Sequence, residues 1–227
     1  MEILIFIAVI AVGVFVYRYK QYQKTTYYKI TKKPYWFMDK GARGEYLTYL
    51  QLKHFENIGG KFLFNLYIPK KKGGTTEIDV LLITKKGLFV FESKNYGGWI
   101  FGDESNKNWT QTFPAGYGRS HKERFYNPIM QNAAHITHLR PFIKDTPVWS
   151  IIVFSDECTL KNITLRSLNV RVINRYEVGT TVTRISMQTQ IDALTEEDLN
   201  SIYNRLFPYT QVGCQAKEAH VNNIQGI

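Results

Sequence analysis

The chain has 227 residues, enough for one globular domain with attachments but short for two full domains. Hydrophobic residues make up 44% and aromatics 15%, which excludes a disordered polyelectrolyte. Lys and Arg number 29 against 19 Asp and Glu, a formal net charge of +10 that favours a polyanionic partner, either nucleic acid or an anionic membrane face.

Ile3 to Tyr17 carries no charge and no strongly polar group. With its flanking aromatics it reaches the length of a short membrane span. A secretory signal peptide fits less well. Glu2, with no Lys or Arg, precedes the apolar run, and Tyr17-Arg18-Tyr19-Lys20 follows it with no small-x-small cleavage site. A buried core helix is the other alternative, but this run is apolar on every face. Arg18, Lys20, Lys24, Lys29, Lys32 and Lys33 follow the span, and Tyr17, Tyr19 and Tyr22 suit an interfacial belt. By the positive-inside rule, residues 1–19 form a single-pass anchor in the cell membrane with the C-terminal bulk cytoplasmic. Residues 20–38 read as a basic juxtamembrane linker that ends around Pro34.

From Asp39 to about Asn57 the pattern predicts a helix. Asp39 is its N-cap, Leu47, Leu50 and His54 recur at helix spacing, and Gly59-Gly60 stops it. Lys61 to Ile68 reads as a strand, followed by a basic turn at Lys70, Lys71 and Lys72. Strands at Thr76–Thr84 and Leu88–Lys94 meet at Lys85-Lys86-Gly87, a hairpin signal. Asn95 to Asp103 continues rich in glycine and aromatics, Trp109 to Gln111 is a short strand, and Ala115 to Arg124 reads as a polar loop. Asn127-Pro128 opens a second helix to about Lys144. Val148–Phe154 and Val170–Asn174 read as strands. Thr195, with Glu196, Glu197 and Asp198, forms a capping box before a helix at Leu199–Phe207. Residues 211–227 have little apolar content and read as a flexible tail. Cys158 and Cys214 have neither a disulfide nor a zinc-ligand spacing. The alternation of helices and strands predicts an α/β domain with a mixed sheet.

The hairpin holds the informative chemistry. Side chains of a strand alternate faces, so Asp79 shares a face with Leu81 and Ile83, while Glu92 and Lys94 share one with Leu88 and Val90. A two-residue loop at Lys85-Lys86 sets position 79 opposite 92; a three-residue loop with a bulge at Gly87 alters the pairing. Two opposed carboxylates repel each other and resist desolvation, and a divalent cation removes both penalties. The bland alternative is a pair of exposed strand-end acids with Lys94 as a salt-bridge partner.

In this setting the chain resembles the nuclease-related domain (NERD) family. The resemblance rests on Gly41-Ala42-Arg43-Gly44-Glu45, on Glu77-Ile78-Asp79, and on Gly87-Leu88-Phe89-Val90-Phe91-Glu92-Ser93-Lys94-Asn95. Gly98, Gly102, Trp109 and Asn127-Pro128-Ile129-Met130-Gln131 follow in order. The resemblance covers roughly 39–155 and implies a nuclease-like core with the αβββαβ order of the PD-(D/E)XK, restriction-endonuclease-like superfamily. Residues 156–210 then form a C-terminal αβ extension of the same domain. The resemblance further implies that Asp79 and Glu92 bind Mg²⁺ (or Mn²⁺), that Lys94 is the lysine of the E-x-K pair, that Glu45 is an auxiliary acid, and that Gln131 lies beside the site. Ser93 stands where the family often has a small β-branched residue.

Cleavage of nucleic acid needs a surface that tracks phosphates. Lys70, Lys71, Lys72, Lys85, Lys86, Arg119, Lys122 and Arg124 are the candidates, and none is placed to read base edges, so little sequence specificity is expected. The expected activity is metal-dependent hydrolysis of phosphodiesters, DNA before RNA. The alternatives are a non-catalytic, membrane-tethered nucleic-acid-binding or scaffold module, and a basic face that lies against anionic lipid.

Overall fold

The computed structural model describes residues 1–35, 38–71, 73–114 and 119–212. Among these described residues six α-helices run in chain order: α1 (Glu2–Gln23), α2 (Thr26–Thr31), α3 (Lys40–Leu52), α4 (Pro128–Ile143), α5 (Val178–Gln188) and α6 (Glu196–Leu206). Nine strands are interleaved with them: β1 (Lys61–Pro69), β2 (Thr75–Thr84), β3 (Gly87–Lys94), β4 (Gly98–Asp103), β5 (Asn108–Pro114), β6 (Ser120–Tyr126), β7 (Val148–Phe154), β8 (Cys158–Thr164) and β9 (Val170–Asn174).

The architecture is mixed α/β with two mixed sheets. The first has the order β1-β2-β3-β7-β9, antiparallel across β1, β2 and β3 and parallel across β3, β7 and β9. Leu88 to Phe91 of β3 are wholly buried. A strand buried on both faces needs such an unbroken apolar run. Helices supply the cover. Tyr27 and Tyr49 from α2 and α3 pack their rings on Phe64, and Tyr49 also meets Phe62. Asn132 of α4 donates to the Val90 carbonyl of β3.

The second sheet has the order β6-β5-β4-β8. β4 follows β3 after three residues, and β8 follows β7 after three. The second sheet therefore stands beyond the C-terminal ends of the parallel strands of the first. Ile100 and Trp109 of the second sheet share a core with Ile152 and Phe154 of β7.

The hairpin closes on Lys85-Lys86 as a two-residue loop, with Thr84 paired to Gly87 and Ile83 to Leu88. Gly87 has φ 133°, and a Cβ there would fall 2.6 Å from the Pro147 carbonyl oxygen. The pairing is that of the two-residue loop and not of the bulged alternative.

Four segments differ from the sequence expectation. The basic linker is part of the fold: α2 forms inside it, Thr25 caps α2 by accepting from Tyr28 N, and Tyr22, Tyr27 and Ile30 are buried in the main core. Tyrosine explains this, because it buries a large ring while its hydroxyl finds a partner; Tyr22 donates to the Lys33 carbonyl at 2.6 Å. In α3, capped by Asp39 as expected, the buried stripe runs through Ala42, Glu45, Tyr49 and Leu52, not Leu47, Leu50 and His54. The polar loop contains β6, whose exposed charges suit an unpaired sheet edge; residues 115–118 lie outside the described residues. The unanticipated β8 and α5 complete the C-terminal part, α5 burying Val178, Val182 and Ile185 at helix spacing. The tail expected at 211–227 lies almost wholly outside the described residues, which end at Val212.

In α1, Ile3–Gln23 has a mean hydropathy of 2.0 and its apolar window is unburied. By length and composition it fits either a membrane span or a signal sequence.

Gly87→Ala is expected to destabilise the protein by about 2 kcal/mol, lowering Tm by about 4–8 °C. A thermal melt beside the exposed-turn control Lys85→Ala checks it; equal melting temperatures would contradict the constraint.

Candidate active site

Three carboxylates and a lysine gather toward the C-terminal end of β3. The β2–β3 ladder ends at Val80 and Phe91, which leaves Asp79 and Glu92 as the next opposed positions. On the other side of Asp79, β1 pairs at Phe64 and Leu66 but skips Asn65, whose φ is 49°. Asn tolerates this left-handed conformation better than most residues. With its neighbours unpaired, Asp79 turns one oxygen to accept the Ser93 backbone N–H at 2.8 Å.

Glu92 is only 2% exposed. Its Oε1 lies 2.7 Å from Lys94 Nζ, which also donates to Gln131 Oε1 at 3.0 Å. Its Oε2 faces His135 Nε2 at 3.2 Å, without the alignment of a hydrogen bond. The other ring nitrogen of His135 pairs with Thr76 Oγ1 at 2.5 Å. Glu45 reaches the same region from α3, with Oε2 accepting from Tyr27 at 3.1 Å and from Asn65 at 2.8 Å.

Two asparagines set the helix that carries Gln131 and His135. Asn127 caps α4 through the Ile129 N–H, and its amide donates to the carbonyls of Glu104 and Asn106. Asn132 ties the next turn to Val90 and to Ser150 Oγ, both at 2.9 Å. Gln131 and His135, four apart, then share one helix face above Lys94 and Glu92. Gly44 brings α3 close to the end of β3: a Cβ there would sit 2.9 Å from Ser93 Oγ.

The electrostatics follow from burial. Burial, then the charges of Glu92 and Glu45, hold Asp79 well above the usual carboxylate range, against the pull of the Ser93 N–H and Lys94. Burial also raises Glu92, but Lys94 and His135 together outweigh it and the net shift is downward. Burial lowers Lys94, yet Glu92 and Asp79 carry it above its usual value. Burial raises Glu45, with Lys33 and Asn65 opposing. The resting site is an ion pair, Glu92 with Lys94, beside an acid that resists ionisation. A divalent cation would relieve that acid.

Among the described residues, no three His, Cys, Asp or Glu side chains converge on one metal position. The pair Asp79 and Glu92 still fits Mg²⁺, which takes one or two carboxylates and keeps several waters. Glu92 Oε2, which faces His135 Nε2 without an aligned hydrogen bond, is the buried oxygen such an ion would use.

The basic candidates divide. Lys70 and Lys71 are exposed on the β1–β2 turn, at the site's end of the sheet; Lys72 lies outside the described residues. Arg119, Lys122 and Arg124 are exposed at and along edge strand β6. Lys85 and Lys86 are not brought to the site. They form the opposite end of the hairpin, about 25 Å from Lys94 at strand rise, and Lys86 pairs with Asp192 at 3.1 Å.

His135, Asn65 and Tyr27 were missed from sequence. Gln131 plus four was a usable signal for His135. A lone Asn in the apolar run Phe62–Ile68 was one for Asn65.

Because the pKa of Asp79 is raised on folding, the native state binds its proton more tightly than the unfolded chain. Its contribution to stability therefore falls as pH rises from the ordinary Asp range toward its folded value. Asp79→Asn is expected to lose less Tm than the wild type between mildly acid and neutral pH without metal. Parallel melting curves would contradict it.

The nuclease-related domain model matches residues 40–155. An uncharacterized protein of Bacillus anthracis is 31% identical over 183 residues, covering 80% of this chain and 82% of that protein. No solved structure matches the chain. The matched segment holds Glu45, Asp79, Glu92, Lys94 and Gln131, and on that match the chain belongs to the nuclease-related domain (NERD) family.

Proposed function

We propose that the protein is a membrane-anchored hydrolase of nucleic-acid phosphodiesters, DNA before RNA, that uses Mg²⁺ or Mn²⁺ and has little sequence specificity. The observation that carries this reading is the group of buried Glu92 and half-buried Asp79 and Lys94 at one end of the sheet, with Gln131 on the lysine. The succession α3-β1-β2-β3-α4-β7 supports a PD-(D/E)XK, restriction-endonuclease-like core, with β4, β5 and β6 inserted before α4.

Asp79 and Glu92 would hold the metal ion, which supplies Lewis-acid polarisation of the phosphate and an activated water. Lys94 stays protonated, because its pKa is raised, so it is suited to orient the water and offset charge at phosphorus rather than to act as a base. Gln131 fixes the ammonium. His135 steadies Glu92 from the opposite side. Glu45, bound to Asn65 and Tyr27, adds negative potential near Asp79. The exposed Lys70, Lys71, Arg119, Lys122 and Arg124 suit phosphate contacts without base readout. A non-catalytic binding module is the second reading, favoured by the lack of a third Asp, Glu, His or Cys ligand among the described residues.

We read α1 as an anchor that remains on the protein. Its last turn supports this: Tyr22 is buried in the main core against Tyr28 and Tyr46. A removed leader gains nothing from such packing. The basic residues after it favour a cytoplasmic domain.

Asp79→Ala and Lys94→Ala are each expected to lower Mg²⁺-dependent DNA cleavage about a hundredfold or more. Mg²⁺ should raise the Tm of the wild type and not of Asp79→Ala. Undiminished cleavage in both variants would reject the site, and salt-sensitive binding without cleavage would favour the module. For the anchor, the full-length chain should resist carbonate extraction from membranes and keep its N-terminal residues by mass. A shortened, extractable form would favour the signal sequence.

A further inference from the structure

Arg175 lies outside the matched segment, one residue beyond the end of β9. In the first sheet Lys94, Phe154 and Asn174 stand level across three parallel strands, so Arg175 emerges at the end that carries the acids. Ligands of such sheets collect outside the carboxyl ends of their strands.

The side chain is 5% exposed. Nη2 donates to Asn95 Oδ1 at 3.2 Å, and Nε is buried with no partner. Among the described residues no carboxylate lies within ion-pair distance of it. A guanidinium offers five donors in a fixed fork, and burying it without an anion is costly. Asp156 and Glu157 offset part of its charge from a distance, but both are exposed to solvent, and Arg43 adds a second positive charge.

A second orphan lies beside it. Ser93 Oγ is buried and without a partner. Both groups lie close to Gly44, where a Cβ would be 2.9 Å from Ser93 Oγ and 3.6 Å from Arg175 Nη2. The Ser93 backbone is the group that holds Asp79. Two unmet donors, one of them on an unpaired cation, thus flank the acid group, and a phosphate oxygen would satisfy both.

We propose that Arg175, with Ser93 Oγ, binds a nucleic-acid phosphate next to the one that is cut. The proposal rests on the nucleic-acid reading above and adds to it a residue from the C-terminal extension. Holding Asn95, which in turn donates to the Lys40 carbonyl, is the purely structural role and uses one donor of the five.

The test measures binding of a short fluorescein-labelled DNA duplex by anisotropy, over a range of KCl, without divalent metal. The full-length protein is used in detergent. Arg175→Gln is expected to weaken binding about ten- to a hundredfold and to lower the slope of log K against log salt by about one. Arg175→Lys should keep the slope and lose part of the affinity, since a point charge replaces the fork. If Arg175→Gln fails to fold, the Lys variant decides, and wild-type affinity in it overturns the proposal. A folded Arg175→Gln with an unchanged slope also overturns it. A wild type that never cuts DNA, but whose slope still depends on Arg175, rejects hydrolysis and supports the phosphate contact. A wild type without salt-sensitive binding rejects both.

Discussion

The structure turns on keeping two acids side by side, Glu92 buried and Asp79 half-buried. Asp79 and Glu92 stand at adjoining positions where the β2–β3 ladder ends, and burial penalises the charge on each. The two penalties are met unequally. Glu92 has Lys94 against one oxygen and His135 beside the other. Asp79 has a single backbone N–H. That asymmetry leaves one acid ionised and the other reluctant. A protein selected only for stability gains from replacing such a pair by apolar side chains. Its retention here accords with the proposed metal site.

Much of the rest of the fold supports that pair. Asn127 and Asn132 lock α4 to the second sheet and to β3, which brings Gln131 and His135 over the strand end. Gly44 lets α3 come close enough for Glu45 to join Asn65. The second sheet, set beyond the strand ends, carries exposed cations along its edge strand β6. The N-terminal segment belongs to the same body, because Tyr22, Tyr27 and Ile30 complete the core beneath α3. In the proposed anchoring, the membrane span passes into the domain through a short packed helix and not through a slack tether.

Most of the core elements were legible because their patterns are local. Apolar runs of strand length, an Asn-Pro helix start, a Thr-x-x-Asp cap and a two-residue turn each depend on neighbours in sequence. Where the patterns failed, burial was decided elsewhere. The tyrosines of 22–31 look polar until aromatic partners from α3 and β1 surround them. β6 lacks alternation because one edge and most of its side chains meet solvent. Leu47 and Leu50 yielded the buried stripe of α3 to Tyr49 and Glu45, since ring packing and the bond to Asn65 outweigh two leucines.

By itself, the sequence determined the hairpin acids, their spacing and their lysine, because strand alternation is a property of the backbone. It also determined the apolar N-terminal run and the positive charge behind it. Only the tertiary structure decided the register that opposes Asp79 to Glu92, since two loop geometries were open and the ladder pairs Thr84 with Gly87. It alone brought His135, Asn65 and Arg175 to that end of the sheet, from segments far apart in the chain. The approach of Arg175 depends on parallel strands ending level, which no local pattern encodes. It also separated Lys85 and Lys86 from the other cations, because a hairpin tip and a strand end lie a full strand length apart.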